Sequence, residues 1–204
     1  MAARVARPKR GSFMTWFREQ SYQIVRMLLY QFGIAILGII LVSAASKWSN
    51  ILLIVSIYAV VFYMALLYTM TWELGAKDRI RADAGIVRFD GATGAKIALC
   101  AALPNVLILL FLVIGYLFGS LVGEASWAQA MFGITHAVAI VWESMYTGFI
   151  QNALPPATTS SLSVGYVVAY ALTILPAIGA SAFGYAMGSH GKRIFGGRSG
   201  KKEK

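Results

Sequence analysis

The chain has 204 residues, 58% of them hydrophobic and 13% charged, whereas a soluble domain carries about a quarter charged residues, so an ordinary water-soluble globular fold is excluded. The apolar residues come in blocks long enough to cross a bilayer, which points to one α-helical membrane domain. A net charge of +10 suggests nucleic acid in a soluble protein, but in a membrane protein Lys and Arg collect on the cytoplasmic side beside anionic headgroups, and no nucleic-acid partner is expected.

Residues 1–26 form a basic juxtamembrane segment. Arg4, Arg7, Lys9, Arg10, Arg18 and Arg26 alternate there with Phe13, Trp16, Phe17 and Tyr22, a mixture suited to a membrane surface. The membrane domain, 27–188, begins with a span at about 27–46. Ser43-Ala44-Ala45 resembles a signal-peptide cleavage site, but the basic region is long for a signal, and a retained helix is favoured. A second span, at about 51–71, follows so closely that the two form an antiparallel helical hairpin.

The loop Trp72–Lys96 holds all three Asp residues of the chain. Trp72 anchors the end of the second span. Glu73 and Lys77 are spaced as a helical ion pair, so the helix continues about two turns toward Gly85. Asp90-Gly91 reads as a turn. The third span, at about 97–122, reaches roughly 39 Å as a helix and is kinked at Pro104. Beside that kink, Asn105 is placed to hydrogen-bond a freed carbonyl or a neighbouring helix. Cys100 is the single cysteine, which rules out an internal disulfide and a cysteine metal cluster.

A fourth apolar segment covers about 127–150 and a fifth about 164–188. The connector QNALPPATTSSLS joins them, and 189–204 is a basic tail expected to be disordered. Lys and Arg number six before the first span, one between the first two, five in the Trp72–Lys96 loop and six in the tail, with none in the other connections. The N-terminus, that loop and the tail are therefore expected in the cytoplasm. That orientation needs an even number of crossings, and the fourth segment is the one expected not to cross. It carries Glu143, whose burial near the bilayer centre costs on the order of 3 kcal/mol, and Trp142 deep in its length. Gln129, His136, Glu143, Thr147 and Gln151 fall near one helical face. The expected fold class is thus an all-α integral membrane protein of four transmembrane helices plus one amphipathic or re-entrant helix on the outer side, where His136 and Glu143 are wet if the helix lies at the surface.

The stretch WELGAKDRIR, followed by GAKIAL and a proline-containing span, and the stretch LPAIGASAFGYAMGSHGKRI at the last span resemble a group of small bacterial multi-pass membrane proteins with a WELGxKDR-like cytoplasmic loop. The resemblance implies the four-span layout and no reaction or catalytic residue.

Three constellations remain. Asp78, Asp83 and Asp90 each lie close to Arg or Lys and read as local ion pairs, not as a metal site; Trp72, Glu73, Lys77, Asp78 and Arg79 offer a cytoplasmic contact surface. His136, Glu143 and Asn105 are candidates for a polar path, since ionisable groups in membrane segments default to function. Gly115, Gly119 and Gly123, and Ala180, Gly184 and Gly188, repeat at four-residue intervals and suit close helix packing, with the third and last spans meeting through these faces or across a dimer. No cofactor, metal, nucleophile or nucleotide motif is present, so no enzyme activity is expected. The first functional expectation is a non-catalytic scaffold, regulatory or accessory subunit of a membrane complex, in contact with anionic lipid and possible as a homo-oligomer. The alternative is a small transporter or channel. With Cys100 removed, a cysteine at Ser160 is expected to label from outside intact cells and one at Ser199 is not. Labelling at Ser199 would overturn the orientation.

Overall fold

The computed structural model describes residues 13–86, 89–121, 126–154 and 163–192. The helices are α1 (Phe13–Ala45), α2 (Ser49–Asp83), α3 (Thr93–Ala101), α4 (Leu103–Leu121), α5 (Ser126–Trp142), α6 (Thr147–Ala153) and α7 (Val164–Ser189), with a 3-10 turn at Ser144–Tyr146 between α5 and α6. There is no strand among the described residues. Of these helices, α1, α2, α4 and α7 are long and apolar enough to cross a membrane. Their outward faces carry large apolar side chains such as Ile40, Val61, Phe111 and Leu175, surface that lipid accepts and water does not.

Helix boundaries depart from the expected spans where polar residues continue a helix that the apolar run alone would end. α1 starts at Phe13, so the basic aromatic segment is continuous with the first span from there on. α2 runs on past Trp72 to Asp83. It stops where Gly85 adopts φ +72°, letting Gly85 N bond Ala82 O and Ile86 N bond Arg81 O, the Schellman arrangement that a left-handed glycine permits. α7 ends the same way at Gly191, φ +66°, with Lys192 N on Met187 O. The third span is two helices. Ala102 closes α3, and Pro104 then sits in the first turn of α4, where its missing N–H costs nothing. Pro176 lies inside α7 and leaves the Leu172 carbonyl without its helical donor, which membrane helices tolerate.

α2 and α7 run parallel in tight contact. Gly184 backs onto Tyr68 and Thr71, Gly188 onto Trp72, and Gly75 of α2 onto Tyr185 and Ser189, so closely that a Cβ at any of the three would overlap backbone or hydroxyl atoms opposite. The glycine face of the last span therefore meets α2, not the third span as expected from the sequence. Gly115 on α4 instead receives Phe132 of α5. Ala180 is buried, Gly119 lies within α4, and Gly123 lies outside the described residues. The partner choice follows from bulk. Four-residue spacing makes a groove, and what fills it is decided by the opposing surface.

The fourth apolar segment is not one helix. α5 runs antiparallel to α4, since Trp127 meets Phe118 at a tilt, Phe132 meets Gly115 and Trp142 reaches Asn105. It runs parallel to α7, with His136 beside Tyr166 and Tyr170 and Glu143 beside Thr173. The helix breaks at Glu143, whose φ −104° and ψ 26° leave the α region. α6 then turns back, so that Gly148 packs on Leu52 and Ser56 near the start of α2, and Leu154 on Gly165 near the start of α7. α5 and α6 thus form a hairpin whose two ends lie at the same end of the bundle. Its tip reaches the level of Thr173, roughly 14 Å along α7.

Gly184→Leu and Gly188→Leu should each lower the thermal stability of the detergent-solubilised protein, by about 1–3 kcal/mol for forced overpacking. Gly179→Ala, whose new Cβ meets open space, should leave the melting temperature in place. Equal melting for all three would show that α2 and α7 do not touch as described.

Candidate functional site

The hairpin tip is wedged between the first two helices. Ser144 Oγ donates to the Ala35 carbonyl on α1 at 2.7 Å, and Gly148 N donates to Ser56 Oγ on α2 at 2.9 Å. Gly38 of α1 admits Ser144 and Met145 at a separation no side chain would allow. These bonds satisfy polar groups that a helix break exposes in an apolar setting.

This wedge delivers Glu143 to the centre of the bundle. It is 3% exposed, so the surface placement in which it is wet does not hold. The cost of burying its carboxyl is offset in part by one hydrogen bond from a neighbouring helix. Asn105 Nδ2 of α4 donates to Glu143 Oε1. Asn105 Oδ1 in turn accepts from Gln31 Nε2 of α1 at 2.7 Å and from Trp142 Nε1 at 2.8 Å. Asn105 therefore ties α1, α4 and the hairpin together. Thr173 of α7 lies beside the same carboxyl, but its hydroxyl proton goes to the Tyr170 carbonyl at 2.8 Å. Glu143 Oε2 and the buried Tyr146 hydroxyl have no hydrogen-bond partner. Tyr63, Tyr146 and Tyr170 are within electrostatic range of the carboxyl. Among the described residues no ion pair involves Glu143: an acidic group sits in an apolar bundle with amide and hydroxyl neighbours and no cation beside it.

A cavity of about 460 Å³ lies beside this network, between the hairpin and the first half of α7. His136, Thr147 and Gln151 of the expected polar face line it, with Tyr166 and Tyr170 opposite and Ile140, Ile150 and Leu154 completing the wall. Tyr170 belongs to both places, since it lines the cavity and lies near Glu143. His136 packs edge-on to Tyr166, ring centroids 4.7 Å apart, and its Nε2 is buried without a partner. The three expected path residues are thus divided. Asn105 and Glu143 are bonded to each other, and His136 stands in the cavity, its ring edge-on to Tyr170. Gln31, Trp142, Thr173 and the tyrosines were not marked as site residues. Gln31 carries the same signal as Asn105, an amide between apolar neighbours, and Trp142 stands out by its depth in the fourth segment; Thr173 and the tyrosines are ordinary in membrane helices.

Two residues of the expected cytoplasmic contact surface, Trp72 and Asp78, belong to an internal clasp, while Glu73, Lys77 and Arg79 are exposed. Trp72 Nε1 donates to the Lys192 carbonyl at 2.6 Å, Gly75 lets Tyr185 approach, and Tyr185 Oη donates to Asp78 Oδ2 at 3.1 Å. Phe89 stacks on Tyr185 and lies under the Arg79 guanidinium. Gly94 at the start of α3 also meets Tyr185 and Ser181. WELGAKDRIR and GAKIAL meet the distant last-span stretch here. Glu73 and Lys77 point outward and are exposed. The ion pairs formed on α2 are Arg79–Asp83 and Arg81–Asp78, in place of the anticipated Glu73–Lys77, and Asp90 pairs with Lys96. Among the described residues, no cluster of three or more His, Cys, Asp or Glu side chains could hold a metal.

Set against protein-family models, curated proteins and solved structures, the chain matches none. Asn105→Leu leaves Gln31, Trp142 and Glu143 without their shared partner, and each stranded buried group costs about 1–3 kcal/mol. The variant should melt well below wild type and shift Trp142 emission, and wild-type melting with unchanged emission would refute the network.

Proposed function

We propose that this is a multi-pass membrane protein of transporter or channel type, with four spans and a re-entrant hairpin that presents Glu143 to a polar solute entering through the His136 cavity. The observation that carries the reading is the carboxyl itself: it is buried at the tip of a broken helix, has no cation among the described residues and has an unpartnered oxygen. A purely structural role favours an apolar or fully bonded group at such a position. Broken helices that bring polar groups to mid-membrane beside a cavity are the arrangement by which membrane proteins bind small solutes.

In this reading the end of the bundle carrying Lys77, Arg79, Arg81, Lys96 and Lys192 is cytoplasmic. The hairpin then enters and leaves from the outer side, and the cavity is filled from there. His136, Thr147 and Gln151 supply hydrogen bonds along the entry, and Asn105 holds the carboxyl in place. The basic segments meet anionic headgroups. A scaffold or accessory-subunit role is the less favoured reading, because Trp72 and Asp78 of the expected contact surface are engaged within the chain.

Reconstituted into liposomes on a solid-supported membrane, the protein should give currents with at least one class among small inorganic cations, amines, amino acids and sugars. Glu143→Gln, an isosteric change able to keep the Asn105 bond, should return that current to the level of empty liposomes. Silence with every class, together with co-purification of a larger complex, would move the assignment to an accessory subunit.

A further inference from the structure

We propose that the cavity is a binding site for a small organic ammonium ion, an amine on an apolar or aromatic body, with the rings of Tyr166 and Tyr170 and Glu143 as its recognition elements. The inference rests on the transport reading above and specifies the cargo of that site.

The lining selects by charge first. Its eight residues include no Lys or Arg, and an acidic group, the Glu143 carboxyl, lies within electrostatic range of Tyr170 in its wall. An anion finds no charged donor and a carboxylate close by. A cation supplies the positive charge that the carboxyl lacks, and at low dielectric that attraction is strong. The second selection is between kinds of cation. A hard metal ion needs six or more oxygen ligands in place of its water, whereas the side-chain oxygens of this lining come from Thr147, Gln151 and the two tyrosines. An organic ammonium is weakly hydrated over its carbon body, binds aromatic faces through cation–π attraction and donates N–H bonds to isolated acceptors. The wall offers both: three aromatic rings, with His136 edge-on to Tyr166 and Tyr170, and the unpartnered His136 Nε2. Deeper in, Glu143 Oε2 and the Tyr146 hydroxyl are likewise unpartnered. Ile140, Ile150 and Leu154 complete an apolar wall for the body of the ligand. A volume of about 460 Å³ lies in the range that small organic ligands occupy.

The test uses full-length protein in nanodiscs of neutral phosphatidylcholine, titrated by calorimetry with three compounds of one shape: 2-phenylethylammonium, 2-phenylethanol and 3-phenylpropionate, with empty nanodiscs as the blank. The ammonium should bind about tenfold or more tightly than the other two, the scale of one desolvated cation–π contact or ion pair. Glu143→Gln should erase the preference, and Tyr170→Leu should weaken ammonium binding with the fold retained. The charge series on unmodified protein decides the matter even if a variant does not fold. Equal binding of alcohol and ammonium, or no ammonium binding, overturns the inference. Currents with a class other than amines, lost in Glu143→Gln, would sink the amine cargo and leave the transport reading standing; currents with no class would remove both.

Discussion

The hydrogen bond between Asn105 and Glu143 is the contact on which the arrangement turns. It lets an acidic side chain sit at the centre of an apolar bundle, and it does so by drawing every neighbouring element toward one point. Gln31 brings α1, Trp142 and Glu143 bring the tip of the hairpin, and Thr173 of α7 lies alongside. A polar side chain in hydrocarbon that lacks a partner costs several kcal/mol, so each of these groups constrains the position of the others. The break in the α5–α6 segment follows from the same constraint. A continuous helix through Glu143 would carry the following residues past Ala35 and Ser56. The 3-10 turn instead leaves Ser144 and Gly148 beside those two acceptors.

A second fastening holds the opposite end of the bundle. Trp72, Gly75 and Asp78 lie on one side of α2, and Gly184, Tyr185 and Gly188 lie on α7; glycine on both helices allows the backbones to meet while Tyr185 and Trp72 each reach a polar partner. One end of the molecule is thereby closed by backbone contact and aromatic stacking. The other end holds a cavity between a two-armed insertion and the first half of α7. The two ends therefore differ in kind, one packed through backbone contact and the other hollow.

Much of the architecture was legible in the sequence. The four spanning helices are read directly from apolar runs of bilayer length, because lipid imposes one simple requirement on them. The fourth segment was legible as an exception for the same reason, since Glu143 and His136 interrupt its apolar face. What the sequence could not convey was the depth of Glu143. A lone carboxyl in an apolar run is equally consistent with a wet surface helix and with a buried site that has partners. The distinction depends on Asn105, 38 residues away, and on Gln31, 74 residues from Asn105. The glycine pattern was similarly incomplete: it marked the face of α7 that is in contact, but the identity of the facing helix depends on Tyr68, Thr71 and Trp72, which have no periodic signature. The charged loop was misleading in another way. Its residues look like surface chemistry, yet Asp78 and Arg79 are turned toward Tyr185 and Phe89 by the helical continuation of α2.

The parallel pairing of α2 with α7 has a consequence for biogenesis. Neighbours of opposite direction can assemble as they leave the translocon, but these two enter the bilayer with 80 residues between them. The notch formed by Gly75 and Trp72 stays unfilled until the final helix has been made. The earlier helices must therefore wait, partly assembled, and this interior is finished only once α7 has joined them.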